Sequence, residues 1–444
     1  MLTGLRGRLE AADRRNLIRV MPAKGAGMST SGSADVLVIG GGVIGLSIAW
    51  RAALRGLRVA VADPAPGTGA SRAAAGMITP ISEAAYAEKE LFRLGRESQR
   101  RYPAFADELT ALTGLPTGYR QAGTLQVAYD ADDLAVLGEY QALQESFGVP
   151  ARRLTARECR QAEPMLDPGI RGGLLAADDA SIDPRLLTTA LLAAARQAGA
   201  DVILQPAAEI LGAGDGRAAG ALLGDGTRVL APWVVLAAGW NSGSVAGLPA
   251  GTAPPVRPVK GQILRLTPGP GGRGTDGPPG LLARTVRGIV RGSSVYLVPR
   301  ESGELVIGAT QEELGADTRV TAGGVWQLLR DARAVVPGIT ELELAEAMAG
   351  LRPGTPDNAP VLGPSALPGL VMATGHFRAG VLLAPVTADI ITQYLATRRM
   401  PEIAAAFAPQ RFTRPAGTTA AGPGRGGQPS RAAGRSRTGE GARL

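Results

Sequence analysis

Three glycines at a fixed spacing indicate a phosphate-binding turn near the start of the chain. Gly40, Gly42 and Gly45 follow the apolar run 35–39 and precede a helical pattern that Gly56 ends. In such a turn the first glycine bends the chain, the second lets a phosphate approach the backbone, and the third lets helix and strand pack closely. The unpaired N–H groups at the helix N-terminus then attract the anion. The spacing therefore predicts a pyrophosphate site.

An acid at the end of the next strand strengthens this interpretation. The run "RVAVAD" ends at Asp63, 18 residues past Gly45, where a ribose hydroxyl needs an acceptor. The glycine spacing alone is weak evidence, but strand, glycines, helix, second strand and acid all follow in order. Together they predict a dinucleotide-binding βαβ unit; the alternative is a close-packed βαβ unit without a ligand.

The segment after Asp63 favours a flavin over a nicotinamide. Residues 67–78, "GTGASRAAAGMI", are small and polar where a nicotinamide enzyme would normally begin another helix. Such a loop can pass close to a large planar ring. Farther on, Asp183 and Pro184 predict the N-cap and first residue of a helix, and 228–242 reads as one apolar strand. These elements add strands to the nucleotide-binding unit long after it begins.

A cation lies where the pattern predicts the start of a buried helix. His376, the only histidine, and Arg378 stand between the strand-like run 369–373 and the apolar helical run 381–396. Arg378 could cap a loop or lie exposed beside it. Alternatively, this helix N-terminus faces an anionic or electron-rich ligand.

Composition limits the class of protein. A length of 444 residues allows two domains or more, and 45% hydrophobic residues support a real core. The single cysteine, Cys159, excludes an intramolecular disulfide and suits a reducing cytoplasm. No apolar run reaches the ~18 residues that span a bilayer, and the N-terminal stretch lacks the apolar core of a secretory signal. We therefore expect a cytoplasmic protein without a membrane span.

The net charge of +8 belongs to the two ends of the chain. Residues 1–33 carry +4 and residues 411–444 carry +6, which leaves −2 for the part between them. Both ends are rich in Gly, Ser, Ala and Arg without periodicity, so they predict a disordered basic extension and a disordered Arg/Gly-rich tail. Without aromatic interleaving, this charge does not indicate nucleic-acid binding.

Six stretches of the sequence resemble the D-amino-acid oxidase superfamily of FAD enzymes, and most closely the glycine oxidases of bacterial thiamine biosynthesis. They are "VIGGGVIGLSIAW", "ASRAAAGM", "PVKGQILRL", "VYLVPRESGELVIGAT", "AGLRPGTPDNAPVLG" and "ATGHFRAGVLLAP". The resemblance implies an α/β fold in which a Rossmann-like FAD-binding domain accompanies an antiparallel-sheet substrate domain. We expect the first domain from residues 34–112, 175–247 and 347–405, and the second from 113–174 and 248–346. "ESGE" predicts a hairpin turn, and 268–279 an irregular surface loop.

The resemblance also implies where non-covalent FAD would bind, with no metal. Val43 and its neighbours would meet the ADP half, 71–77 the flavin, Ala208 the adenine, and 376–382 the isoalloxazine ring. The matching positions are Gly40, Gly42, Val43, Ile44, Gly45, Asp63, Pro64, Ser71, Arg72, Ala75, Gly76, Met77, Ala208, His376, Phe377, Arg378, Ala379, Gly380, Val381 and Leu382. Arg378 would add positive potential near the ring, whereas His376 is more typical of a turn residue than of a base.

Two further residues match substrate-binding positions of the superfamily. Arg352, in "GLRPGTPD", matches the residue that grips the substrate carboxylate, for which a planar guanidinium is suited. Without the resemblance, a simple ion pair with Asp357 would explain it. Tyr296 matches the active-site tyrosine; the alternative is a half-buried strand aromatic. The sequence departs from the best-known pattern at Ser294, where that pattern has histidine, and at Gln311, where it has methionine.

The implied reaction is FAD-dependent oxidation of glycine and other small amino acids, such as sarcosine and D-alanine, to the imino acid. Dioxygen would be the second substrate, hydrogen peroxide a product, and thiazole synthesis the destination. Such enzymes often form tetramers. The nearest alternative is a D-amino-acid dehydrogenase that passes electrons to a quinone. Others are a non-catalytic flavin scaffold and an RNA-modification module. Lys260 could assist dioxygen or serve structure alone.

Overall fold

The computed structural model describes residues 33–149, 152–269 and 280–412. Most of the predicted basic extension, of the tail and of the 268–279 loop therefore lies outside the described residues. The described part extends slightly beyond the predicted start of the tail. Arg411 lies in the short 3₁₀ helix Pro409–Phe412, and its Nε donates to Asp357 Oδ2 at 2.8 Å.

Strands and α-helices alternate through most of the first half of the chain, whereas strands predominate in the second half. The strands are β1 (Val36–Ile39), β2 (Val59–Ala62), β3 (Met77–Ile78), β4 (Thr124–Ala128), β5 (Arg152–Thr155), β6 (Gly172–Ala176), β7 (Ala180–Ser181), β8 (Asp201–Ile203), β9 (Ala207–Gly212), β10 (Ala218–Leu223), β11 (Arg228–Leu230), β12 (Trp233–Leu236), β13 (Arg257–Thr267), β14 (Thr285–Val290), β15 (Ser293–Pro299), β16 (Leu305–Gly308), β17 (Glu343–Gly354), β18 (Val361–Pro364) and β19 (Leu370–Thr374). The α-helices are α1 (Val43–Leu54), α2 (Ala70–Ala73), α3 (Lys89–Thr113), α4 (Ala131–Ser146), α5 (Ala156–Ala162), α6 (Pro184–Gln197), α7 (Ala322–Val335) and α8 (Gly380–Thr397).

A six-stranded, mainly parallel sheet carries the predicted nucleotide-binding unit. Its order is β18-β19-β12-β1-β2-β8, and only β18 runs antiparallel to its neighbour. Every residue of β1 and β2 is buried, as expected for central strands covered on both faces. The α/β fold and the strand–turn–helix–strand order are thus confirmed.

An eight-stranded sheet forms the other half of the fold. Its order is β17-β13-β16-β15-β14-β4-β6-β5, antiparallel except where β14 pairs with β4. The hairpin expected at "ESGE" is confirmed, because Pro299 of β15 lies opposite Leu305 of β16. Long pairing between β13 and β17, from Arg257↔Gly354 to Thr267↔Glu343, brings distant parts of the chain side by side.

Grouping the strands by sheet follows the expected partition closely but not everywhere. β17 pairs with β13 along its whole length, although most of β17, residues 347–354, falls in a stretch expected to belong to the FAD-binding domain. The boundary at 174/175 similarly falls inside β6. The division into two domains stays a prediction.

Two local predictions from the sequence are wrong. The run 228–242 does not form one strand: it breaks at Pro232 into β11, which joins a three-stranded sheet, and β12, which joins the six-stranded one. Proline lacks the N–H that would continue a ladder. The segment 67–78 is not wholly irregular either, since it contains the single helical turn α2 and the short β3. By contrast, the Asp183 cap of α6 is confirmed: its carboxylate accepts from Arg185 N at 2.8 Å.

The apolar helix α8 lies in the core. The segment Phe377–Thr397 is long and apolar enough to cross a membrane by length and composition, so the expectation that no apolar run reaches this length is wrong. However, 72% of the most apolar 18-residue stretch of this segment is buried inside the fold, where the helix packs against α1 and α3. Ser98 of α3 donates its hydroxyl proton to Leu382 O at 2.6 Å. The helix therefore serves as a core helix that aims its N-terminus at the site described next.

Candidate active site

A cavity of about 800 Å³ lies where the two sheets meet. The β1–α1 turn and the α2 segment form one end, while β13–β17 and the turn before α8 form the other. Binding sites for small molecules and cofactors usually occupy ~300–1,000 Å³, so this volume suits a large ligand.

Glycines shape the end of the cavity nearest β1. Gly40 has φ +106°, and a Cβ there would lie 2.4 Å from the Ala237 carbonyl oxygen. A Cβ on Gly45 would lie 1.9 Å from Gly40 O. Helix α1 begins after Gly42, which has no side chain to cap the first amides. Gly40 and Gly45 therefore accept no side chain, and the first turn of a helix favours an anion, as a pyrophosphate requires.

Asp63 stands at the end of β2, beside this turn. Its Oδ2 accepts from Gly41 N at 2.6 Å and its Oδ1 accepts from Ala65 N at 2.7 Å. Ser71 Oγ accepts from Val43 N at 3.0 Å and so joins the α2 segment to the first turn. Each carboxylate oxygen of Asp63 keeps a lone pair for a ribose hydroxyl. The residues at this end therefore fit FAD.

Most of the predicted cofactor positions line the cavity, but four do not. Gly45 lies between helix and strand, as its packing role requires. Arg72 turns away toward Glu346, 3.8 Å from it, with 46% of its side chain exposed. Ala379 and Leu382 are buried in the core cluster beneath the turn.

Arg352 of β17 lines the end of the cavity opposite the β1–α1 turn. Its Nη1 donates to two backbone carbonyl oxygens, of Lys260 at 3.3 Å and of Thr310 at 3.2 Å. The guanidinium lies over Gly261, where a Cβ would come within 2.3 Å of both terminal nitrogens. The simple ion pair with Asp357 is wrong, because that carboxylate pairs with Arg411 instead.

Among the described residues, Arg352 differs from the other two arginines that line the cavity, because each of those two forms an ion pair with an acid. Arg287 forms an ion pair with Glu83 at 2.7 Å, and Arg378 forms one with Glu88. Within 33–149, 152–269 and 280–412, no acid pairs with Arg352. A guanidinium held in a cavity without an anion attracts a carboxylate strongly, since its planar array of donors matches the two oxygens of that group.

Tyr296 lies beside Arg352 on β15. Its backbone is opposite Gly308 of β16, where a Cβ would lie 2.3 Å from the tyrosine hydroxyl. Burial raises the pKa of Tyr296 and outweighs the opposing effect of Arg352, so the hydroxyl stays protonated and can donate. Both sequence-based interpretations hold here, because Tyr296 is a strand aromatic and also lines the cavity.

The turn between β19 and α8 contributes His376 and Arg378 to the wall. His376 Nε2 lies 3.1 Å from Thr387 Oγ1, and burial lowers the pKa of the imidazole to about 3, so it is neutral at pH 7. Phe377 adopts φ +46°, a strained conformation for a non-glycine residue. The ion pair with Glu88 offsets much of the positive potential that was expected from Arg378.

Lys260 is buried behind Arg352, at the end of the cavity that we call the substrate end. Its ammonium is 0% exposed and lies 3.1 Å from Asp317 and 3.5 Å from Glu312. It does not line the cavity, and these partners support the structural interpretation of this lysine.

Some residues of the wall were named from the sequence and others were not. Ser294 and Gln311, the two departures from the family pattern, line the cavity. Gly261, Glu83 and Arg287 also line it but were not predicted. A glycine inside a strand pattern such as "PVKGQ" signals close approach of another group, whereas no local signal marks Glu83.

Comparison with known proteins identifies the family. The model of the FAD dependent oxidoreductase family, DAO, matches residues 35–394. The bifunctional protein ThiO/ThiG of Trichormus variabilis is 33% identical over 87% of this chain, and the chain spans 56% of that protein. The chain thus covers only about half the length of such bifunctional relatives.

Single-function relatives match along nearly their whole length. Glycine oxidase of Geobacillus kaustophilus is 33% identical over 86% of this chain and 97% of its own. A crystal structure of the enzyme from that organism superimposes with a TM-score of 0.77, at 32% identity, covering 86% of this chain and 100% of the other. The chain therefore belongs to the DAO family of FAD-dependent oxidoreductases.

Proposed function

We propose that this FAD-dependent oxidoreductase oxidises glycine, with sarcosine and D-alanine as further substrates, and that dioxygen accepts the electrons. The observation that carries the proposal is Arg352, the cavity arginine without an acid partner among the described residues, held beside the hydroxyl of Tyr296. Relatives named glycine oxidase, at 33% identity, support the substrate class.

The overall reaction consumes glycine, water and dioxygen and yields glyoxylate, ammonia and hydrogen peroxide. Two electrons and two protons leave the Cα–N unit of glycine and appear in the peroxide. Water then adds to the imine carbon and releases ammonia. Alternatively, the imine passes to thiazole synthesis before hydrolysis, a fate that the likeness to ThiO/ThiG supports.

The residues of the cavity divide this work. Arg352 binds the substrate carboxylate through two parallel hydrogen bonds, and Tyr296 donates its hydroxyl to the same group. Bound FAD supplies the hydride acceptor. Fixing the carboxylate at one end orients the α-carbon, and such orientation accounts for much of the rate gain in bimolecular steps. Gly40, Gly42, Asp63 and the α2 segment would hold the cofactor without covalent attachment, since Cys159 is buried in another cluster.

The location and assembly of the protein are part of the same proposal. A single buried cysteine is compatible with a reducing cytoplasm. The likeness to the bifunctional protein ThiO/ThiG supports delivery of the imine product to thiamine biosynthesis. We propose a cytoplasmic homo-oligomer.

Anaerobic addition of glycine to the purified yellow protein tests the function. We expect the visible flavin band to lose intensity with glycine and, when air is admitted, peroxide to form in amounts matching the glycine consumed. Bleaching without peroxide, together with reduction of an added quinone, would favour the dehydrogenase. No bleaching with glycine, sarcosine or D-alanine would contradict the proposed substrate class.

A further inference from the structure

One acid faces the substrate end of the cavity. The carboxylates that line the cavity, among the described residues, are Asp63 and Glu83. Asp63 lies at the end of the cavity nearest β1, which we call the cofactor end, and accepts hydrogen bonds from two backbone N–H groups there. Glu83 Oε1 accepts from Arg287 Nη1 at 2.7 Å, while its other oxygen, Oε2, has no donor among the parts of the chain that the structure describes. One carboxylate oxygen thus stays available to a ligand.

Glu83 and Arg352 act on the same tyrosine. Arg287 lies directly opposite Tyr296 in the β14–β15 ladder, which places Glu83 next to that pair. Tyr296 interacts electrostatically with Arg352 and with Glu83. Because Tyr296, Arg352 and Glu83 all line the cavity, a small molecule beside the tyrosine hydroxyl would have both a guanidinium and a carboxylate near it.

Three buried polar side chains fix the backbone just before Glu83. Asp179 accepts from Ser82 N at 3.2 Å, Gln126 donates to Ser82 O at 3.2 Å, and Gln144 donates to Ile81 O at 3.2 Å. All three are at most 4% exposed and come from separate segments. Burying polar groups is costly unless they are paired, and a paired network makes its region rigid. Glu83 is therefore a fixed part of the wall.

An amino acid presents two charges to such a site. A guanidinium satisfies the carboxylate but leaves the amino group without an acceptor, and an unpaired polar group in a cavity weakens binding. We propose that Glu83 Oε2 accepts a hydrogen bond from the substrate amino group, with Arg287 orienting the carboxylate. Glu83 thereby selects amino acids over carboxylic acids of the same size. This inference rests on the proposed function and names the residue that reads the amine.

Glu83→Gln tests the inference, because glutamine keeps an acceptor for Arg287 and loses the charge. FAD-loaded wild type and variant are compared for glycine turnover and for competitive inhibition by acetate, which lacks the amine. Loss of a charge-assisted hydrogen bond predicts a fall of about 10- to 100-fold in kcat/KM for glycine. Acetate should bind as before or more tightly, since Arg287 then lacks its counter-charge. Glu90→Gln is the control, as Glu90 is exposed and pairs with Arg93 at 3.0 Å.

The results separate this inference from the proposed function. Equal glycine kinetics in Glu83→Gln and Glu90→Gln overturn it, and so does an equal loss for glycine and acetate, which indicates general damage. Wild type that oxidises no small amino acid contradicts the proposed function instead. In that case the shift of the flavin band by glycine, relative to acetate, still reports amine recognition without turnover. If Glu83→Gln does not hold FAD, Glu83→Asp gives the same contrast, with a selective loss for glycine expected.

Discussion

The two ends of the cavity are lined by different kinds of chemical group. At the predicted cofactor end, backbone groups and glycines form the wall, and Gly40, Gly45 and Asp63 lie within one βαβ unit. At the substrate end, charged and hydroxyl side chains come from strands far apart in the chain, as when Arg352 of β17 reaches over Gly261 of β13. We therefore expect the first end to recognise its ligand by shape and the second to recognise its ligand by charge.

This difference predicts how each end fails. A side chain added at the cofactor end should prevent FAD from binding, because no other side chain can replace the backbone groups that it blocks. Change at the substrate end should leave a yellow protein that holds FAD but handles amino acids poorly. Flavin content and glycine kinetics therefore report separately on the two ends.

Gly45→Ala should have the largest effect. Its Cβ would lie 1.9 Å from Gly40 O, so helix α1 must move away from β1 and distort the phosphate turn. We expect colourless protein and a loss of about 1–3 kcal/mol in the free energy of unfolding, typical of overpacking. Absorption spectra and thermal melts measure both. Gly138→Ala in α4, where a Cβ meets nothing within 4 Å, is the control. A fully flavinated Gly45→Ala protein would contradict the shape-based account.

Gly261→Ala should damage only the substrate end. A Cβ 2.3 Å from the guanidinium nitrogens forces Arg352 to shift. A misplacement of about 1 Å costs about 100-fold in rate, so kcat/KM for glycine should fall by that order while bound FAD stays unchanged. Gly212→Ala in β9 is a matched strand control, since its nearest neighbour atom would be 3.9 Å away. Equal kinetics for the two variants would show that the position of Arg352 does not matter.

The sole histidine allows a measurement without any substitution. Burial lowers the pKa of His376 to about 3, below the ordinary value of 6.5. Because the folded pKa is the lower one, this residue's contribution to stability is complete above 6.5 and is lost as the pH falls toward 3. NMR of the untagged protein should show one imidazole ring whose shifts stay constant from about pH 8 to about pH 5. A titration midpoint near 6.5 would mean that the turn before α8 is open to water.

The sequence revealed the cofactor end more fully than the substrate end, for a physical reason. The phosphate turn is local, so the spacing of Gly40, Gly42 and Gly45 is enough to predict it. Which acid meets which arginine depends on tertiary packing. Asp357 is close to Arg352 in sequence, yet it pairs with Arg411.

Arg352 and Tyr296 were identified through resemblance and not through any pattern of their own. Glu83 and Gly261 were not predicted as site residues, because each meets its partner arginine only when distant segments of the chain come together. The same limit explains the error at Pro232, since an apolar run does not show where the chain passes from one sheet to another.

The most direct test of the account compares Arg352→Ala with wild type at equal flavin content, by anaerobic titration with glycine. Removing one partner of a buried charge pair typically costs about 2–5 kcal/mol, which corresponds to more than tenfold in binding. We predict that the variant keeps its FAD but needs at least about 30-fold more glycine to bleach the flavin band. Bleaching of both proteins at the same low glycine concentration would contradict the claim that this guanidinium anchors the substrate.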